Sequence, residues 1–250
     1  MRLARVFAAL LRCQIDLRNY YEGVINLAPP KLSCLFPNAT PIDPSNTLPK
    51  VTYRQFFSRV GQPTSALADL KNITTTMYIA TLDDTNEEVI VKFTVRYNKA
   101  AHYLLAAAQL APRLHFLGRV VGDLYMIVMD RVDRKSIWQL QQDKTSTPEI
   151  VLTKVEEAVG LLHNEDIVFG DLRSNNILYV ASDDHVFLVD FDWACMNGEC
   201  RYPVTLNPGE DSRLWPEDVL PYGIMRKEHD LRQLNHLKKL CLNRAVPTLL

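Results

Sequence analysis

Val168-Phe-Gly-Asp-Leu-Arg-Ser-Asn-Asn-Ile-Leu-Tyr-Val180, followed at once by Val186-Phe-Leu-Val-Asp-Phe-Asp-Trp-Ala194, is the stretch whose reading decides the fold. Ile177 to Val180 and Val186 to Val189 are short apolar runs rich in β-branched and aromatic residues, and Ala-Ser-Asp-Asp-His between them has turn chemistry. The spacing predicts a β-hairpin. In an antiparallel hairpin the residue before the first strand and the residue after the second share the open end. Those residues are Asn176 and Asp190, and Asp171 lies five positions before Asn176 in the loop that feeds the hairpin. Two carboxylates and a side-chain amide are thus gathered at one spot.

Carboxylates held close repel, and one is driven toward protonation unless a cation sits beside them. An all-oxygen set with one or two carboxylates suits Mg²⁺, which keeps several waters and takes further ligands from phosphates. The loop, strand, turn and strand also resemble the catalytic core of the protein kinase-like superfamily, H-R-D-x-x-x-x-N followed by a hairpin and D-F-G. The matching residues are Phe169-Gly170-Asp171, Asn176 and Asp190-Phe191-Asp192. The resemblance implies an α+β, two-lobed protein kinase-like fold. Its N-lobe would be a small antiparallel sheet, and its C-lobe mainly helical. It implies ATP and Mg²⁺ as cofactors, with Asp171 accepting the proton of an acceptor hydroxyl and Asn176 and Asp190 holding the metal. Arg173 matches the lysine of D-L-K-P-E-N and would neutralise the γ-phosphoryl group.

Upstream, Thr74 to Leu82 reads as a strand, Asp83 to Asn86 as its turn, and Glu88-Val-Ile-Val-Lys-Phe-Thr94 as the returning strand. Lys92 sits mid-strand, where a lone lysine is ordinarily solvated or guards an edge. By the resemblance it matches the V-A-I-K lysine that holds the α/β-phosphates. Asn98 to Leu110 is an Ala/Leu-rich helix stopped by Pro112, in the place of the kinase αC helix. No Asp or Glu occurs between Lys92 and Asp123, so the family's lysine–glutamate pair has no acid on this helix, and Lys92 must be oriented by Asp190 or by the nucleotide. Arg119 to Gly122 and Leu124 to Met129 are two further strands. The connector Asp130-Arg131-Val132 resembles the hinge whose backbone pairs with adenine.

Ser146-Thr-Pro-Glu149 starts a helix with Ser/Thr capping, and Val151, Val155, Ala158, Val159 and Leu162 form its apolar stripe. After Trp193 a proline-punctuated segment resembles an activation and substrate-docking segment without A-P-E. A last helix runs from Arg226 to Leu242. Asp230 near its start is either the acid that kinases bond to the catalytic loop backbone or a favourable charge on the helix dipole. The chain's end soon afterwards predicts a minimal or truncated C-lobe. The expected division is 1–50 (helix and proline-rich linker), 51–130 (N-lobe) and 131–250 (C-lobe).

Three features depart from a standard protein kinase: the histidine of H-R-D is Phe169, D-F-G is Asp190-Phe191-Asp192, and between Val51 and Lys92 the only glycine is Gly61, so there is no glycine-rich loop. Gly170 and Asp190-Phe-Asp-Trp193 are similar to H-G-D and D-F-E/D variants of aminoglycoside- and choline-kinase-like enzymes, and the combination resembles divergent kinase-like proteins expanded in fungi. The expectation is a phosphotransferase acting on a protein Ser/Thr or small-molecule hydroxyl, with a nucleotide-binding regulatory pseudokinase as the rival. A net charge of −1 over 250 residues gives no argument for nucleic acid. Five cysteines without a C-x-x-C pair suggest reduced thiols in a cytoplasmic or nuclear protein. No apolar run reaches the ~18 residues of a membrane span; the basic, apolar first thirteen residues read first as an amphipathic helix docking on the domain, with an organellar presequence as the alternative.

Overall fold

Strand-forming runs between Val51 and Asp130 assemble into one sheet in a computed structural model that describes residues 2–24, 35–58, 62–64, 73–204, 206, 215 and 218–242. Contacts divide the chain into units 1–37 and 38–250, each taken by itself. The first holds helix α1 (Arg2–Val24). No described helix is long and apolar enough to cross a membrane. Much of the expected linker, and Gly61, Pro208 and Pro216, lie outside the described residues.

In the second unit the upper lobe contains β1 (Val51–Ser58), β2 (Pro63–Thr64), β3 (Ile73–Leu82), β4 (Glu88–Thr94), α2 (Lys99–Ala107), β5 (Leu114–Val120) and β6 (Leu124–Asp130). The six strands form an antiparallel sheet in the order β2-β1-β3-β4-β6-β5. β4 is central, and five successive residues from Val89 to Phe93 are buried, as a strand covered on both faces requires. Lys92 lies opposite Met77 of β3 and Ile127 of β6. Residues before β1 also join in: Pro41 bridges to Val120 on the β5 edge, Ile42 N–H donates to Arg119 O, and Val121 N–H donates to Thr40 O.

The lower lobe contains β7 (Lys135–Ser136), α3 (Ile137–Gln142), α4 (Glu149–Asn164), β8 (Ile167–Val168), β9 (Ile177–Val180), β10 (His185–Leu188), β11 (Cys195–Met196) and α5 (Lys227–Leu242). The hairpin pairs β9 with β10, Leu188 opposite Ile177 and His185 opposite Val180, so its open end is at Asn176 and Asp190. On α4, Val151, Val155, Ala158, Val159 and Leu162 are all buried. They join Leu105 of α2, Leu188 and Phe191 in one core. Full burial of an aliphatic side chain of this size contributes about 1.5–3 kcal/mol. The expected Ser/Thr cap of α4 is not made: Pro148 is the N-cap and no side chain bonds the first turn. Proline's fixed φ starts the helix there without a side-chain acceptor.

Candidate active site at the hairpin mouth

Backbone conformation sets the loop that carries Asp171. Gly170 has φ +79°, and a Cβ there would fall 2.0 Å from Met225 Cε. Only glycine takes both the left-handed conformation and the contact without strain. Asp230, fully buried on the first turn of α5, accepts from the backbone N–H of Phe169 at 2.7 Å and of Gly170 at 2.8 Å. His163 Nε2 lies 3.0 Å from the same carboxylate, and Gln233 Oε1, one turn further along α5, accepts from Leu172 N–H at 3.1 Å. Of the two readings open for Asp230, the structure shows the bond to the loop.

Asp171 is almost fully buried, and its carboxylate faces the Arg173 guanidinium, with Nη2 donating to Oδ2 at 2.7 Å and Nε to Oδ1. Asn176 Nδ2 donates to the Asp171 carbonyl and to Oδ2, both at 2.9 Å. Burial raises the Asp171 pKa, and the bonds from Arg173 and Asn176 only partly offset this. Arg173 also stacks over Trp215, 5.7 Å from its ring centre. The guanidinium is therefore held between the Asp171 carboxylate and the Trp215 ring.

A second group of charges lies across from the first. Lys92, 7% exposed, donates to Asp190 Oδ1 and to Asp192 Oδ1, each at 2.6 Å. Thr94, two residues along β4 and on the same face, donates to Asp192 Oδ2 at 2.8 Å. Burial works against the Lys92 charge, but the two aspartates outweigh it and its pKa is raised. Burial also works against the Asp190 carboxylate, yet the Lys92 charge brings its pKa below the usual value. Asp192 goes the other way, pushed up to about 6 by burial and by the neighbouring Asp190 charge. Asp190 itself has φ +72°, uncommon for a residue with a Cβ. Asp190 raises the Asp171 pKa and Arg173 lowers that of Asp190, so the two groups act on each other within one electrostatic site.

Beside the Lys92 group opens a cavity of about 240 Å³, lined among others by Met77, Ile90, Met129, Leu178 and Val189. Asp130 and Val132 line it too. Asp130 N–H is committed to Arg113 O and Arg131 N–H to Glu88 O. The Val132 N–H, on the cavity wall, is not drawn into such a pair among the described residues. Asn176 and Asp190 fit a hard cation by chemistry. With the amide N–H₂ of Asn176 turned to Asp171, its oxygen is the atom it would offer to a cation. Among the described residues no group of three or more His, Cys, Asp or Glu could hold a metal. A cation here would thus lean on phosphate oxygens and water, as magnesium does.

Two contributors escaped sequence reading. Asp192 stood out only as a replaced glycine, and its partners Lys92 and Thr94 are 100 and 98 positions away. His102, fully buried on α2, stacks on Phe191 with ring centres 4.8 Å apart. Its Nδ1 faces Tyr97 OH at 2.7 Å and its Nε2 faces Pro112 O at 2.8 Å. No local pattern announces either contact.

No family model matches the sequence, and no curated protein is significantly similar to it. Among solved structures the chain is similar to the Cydia pomonella granulovirus kinase PK-1, with a TM-score of 0.53 at 15% identity over 70% of this chain. The chain has a protein kinase-like fold. The match spans 66% of that kinase's own chain, just under two thirds. The neighbour is viral, and it lends nothing to the fungal or choline-kinase-like subtype suggested by Gly170 and Asp192.

Proposed function

We propose that this chain is an ATP- and magnesium-dependent phosphotransferase that moves a γ-phosphoryl group to a hydroxyl acceptor, with protein Ser/Thr as the leading acceptor class. The observation that carries this reading is the buried Lys92 facing Asp190 across the hairpin mouth, with Asp171 and Asn176 on the adjoining loop. Phosphoryl transfer asks mainly for positioning and charge neutralisation. Asp171 takes the acceptor's proton, and its burial-raised pKa makes it a better proton acceptor than a solvated carboxylate. Arg173 leaves the Asp171 carboxylate to meet the charge of the transferring group. Lys92 binds the α/β-phosphates, and Asn176 and Asp190 hold magnesium, which when bound neutralises phosphate charge. The purine occupies the cavity at Asp130 and Val132.

A second reading, a regulatory pseudokinase, draws on one observation: both basic groups of the site are already neutralised by the chain's own aspartates. A small-molecule acceptor remains a variant of the first. The experiment is a γ-phosphate transfer assay with protein and small-molecule acceptors offered together, alongside thermal unfolding with Mg-ATP. Binding at 100 Kd stabilises by about 2.7 kcal/mol. Asp190→Ala is expected to remove most of that gain. Asp171→Asn keeps it while turnover falls by about a hundredfold or more. A stabilisation without any transfer by the wild type would assign the pseudokinase role; no stabilisation at all would overturn nucleotide binding.

A further inference from the structure

Lysine carries a point charge on a flexible four-carbon stem, so the direction of the buried Lys92 ammonium is set by the groups that accept from it. Helix α2 has no acid to offer, and its buried residues are Ala101, His102 and Leu105. His102, the polar one, spends both ring nitrogens on Tyr97 and Pro112. Lys92 is instead gripped from the loop after β10, by two carboxylates that are not equivalent. Asp190 is the more open, its side chain 37% exposed against 23% for Asp192, and one of its oxygens carries the lysine bond. Asp192 is fully engaged: Oδ1 takes Lys92 and Oδ2 takes Thr94, so both oxygens are tied to one strand.

The surrounding backbone fixes that fork. Asn98 N–H donates to Phe191 O at 3.1 Å, and Asn98 Nδ2 donates to Ala194 O at 3.1 Å. Phe191, just before Asp192, and Ala194, two residues after it, are thereby fastened to the N-cap of α2. Phe191 is fully buried between His102, Tyr97 and Phe169. A carboxylate held at both oxygens, on a loop held on both sides, is poorly placed to leave for a cation. Asp190 is well placed to do so.

We propose that Asp192 is the positioning residue for Lys92, doing from the loop what an acid on the helix would otherwise do, and that it keeps the ammonium in place when Asp190 turns to a phosphate-bound cation. This rests on the nucleotide-binding reading above and assigns a division of labour within it: Asp192 orients, Asp190 ligates. The orienting bond then runs between β4 and a loop that is itself fastened to the N-cap of α2.

The test compares dissociation constants for Mg-ATP and for adenosine, by calorimetry, in the wild type, Asp192→Asn, Asp192→Glu and Thr94→Val. Adenosine fills the cavity without touching Lys92, so a defect in lysine orientation weakens Mg-ATP alone. Asp192→Asn is expected to lose about tenfold or more in Mg-ATP affinity, the worth of a charge-assisted bond, with adenosine unchanged. Asp192→Glu restores part of the loss, and Thr94→Val gives a smaller loss of the same kind. Equal weakening of both ligands in Asp192→Asn, or no change in either, overturns the proposal. Where Asp192→Asn does not fold, Thr94→Val decides by the same comparison. A wild type that binds Mg-ATP no better than adenosine overturns the phosphotransferase reading and this proposal together. Retained Mg-ATP preference in the variants overturns this proposal only.

Discussion

Asp192 holds its proton to higher pH than a solvated aspartate, up to about 6, because burial and the Asp190 charge both disfavour its ionised form. The unfolded chain releases that proton near the ordinary value of 3.8. Between those two values the folded state binds more protons than the unfolded state, so this residue's contribution to stability falls as pH rises through the window. Asp192→Asn fixes the uncharged form. The expected outcome is a melting temperature for the variant that gains on the wild type as pH goes from 4 to 7, measured by calorimetric scans at matched ionic strength. A constant difference across that range would show that Asp192 does not titrate there. The carboxylates at 171 and 190 were legible in the sequence because their spacing to Asn176 is local and a hairpin forces them together. Asp192 was visible as a residue and opaque as a partner, since its bonds to Lys92 and Thr94 depend on how two lobes meet.

Among the elements, α5 matters to the site through its first turn. Asp230 and Gln233, three apart and therefore on one face, accept three backbone N–H groups of the loop that carries Asp171. Asp230→Ala would strand the buried N–H groups of Phe169 and Gly170, at roughly 1–3 kcal/mol each. The expected result is a lower urea midpoint with an unchanged m-value, and a loss in turnover larger than the loss in Mg-ATP affinity. Asp230→Asn, with one carbonyl oxygen left to accept, is expected to fall between the two. Elements differed in how far the sequence disclosed them. β4, apolar from Val89 to Phe93 but for Lys92, and α4, with its 3.6-residue apolar stripe, were plain. β1 was not expected, because irregular register between Tyr53 and Gln55 and between Phe56 and Ser58 breaks its alternation and leaves Phe56 and Phe57 both buried. α3 is six residues, too short for a period to show, although Ser136 and Gln139 form a capping box that could have signalled it.

Across the whole molecule, the two lobes share one apolar core in which Tyr97 and Leu105 above pack with Val155 and Phe191 below. That arrangement makes the site's two charged groups neighbours, and it could be inferred only from the likeness of motif order, because no single helix or strand encodes it. One modest feature has a practical bearing on how the protein is handled. The residues around Pro41 lie along β5, covering backbone groups that would otherwise stand open at the end of the six-stranded sheet. A recombinant fragment begun at Val51, the natural choice from the proline spacing alone, would strip that cover from Arg119 and Val121. Such a fragment is expected to self-associate through its bared margin, seen as concentration-dependent light scattering, while one begun at Asn38 stays monodisperse.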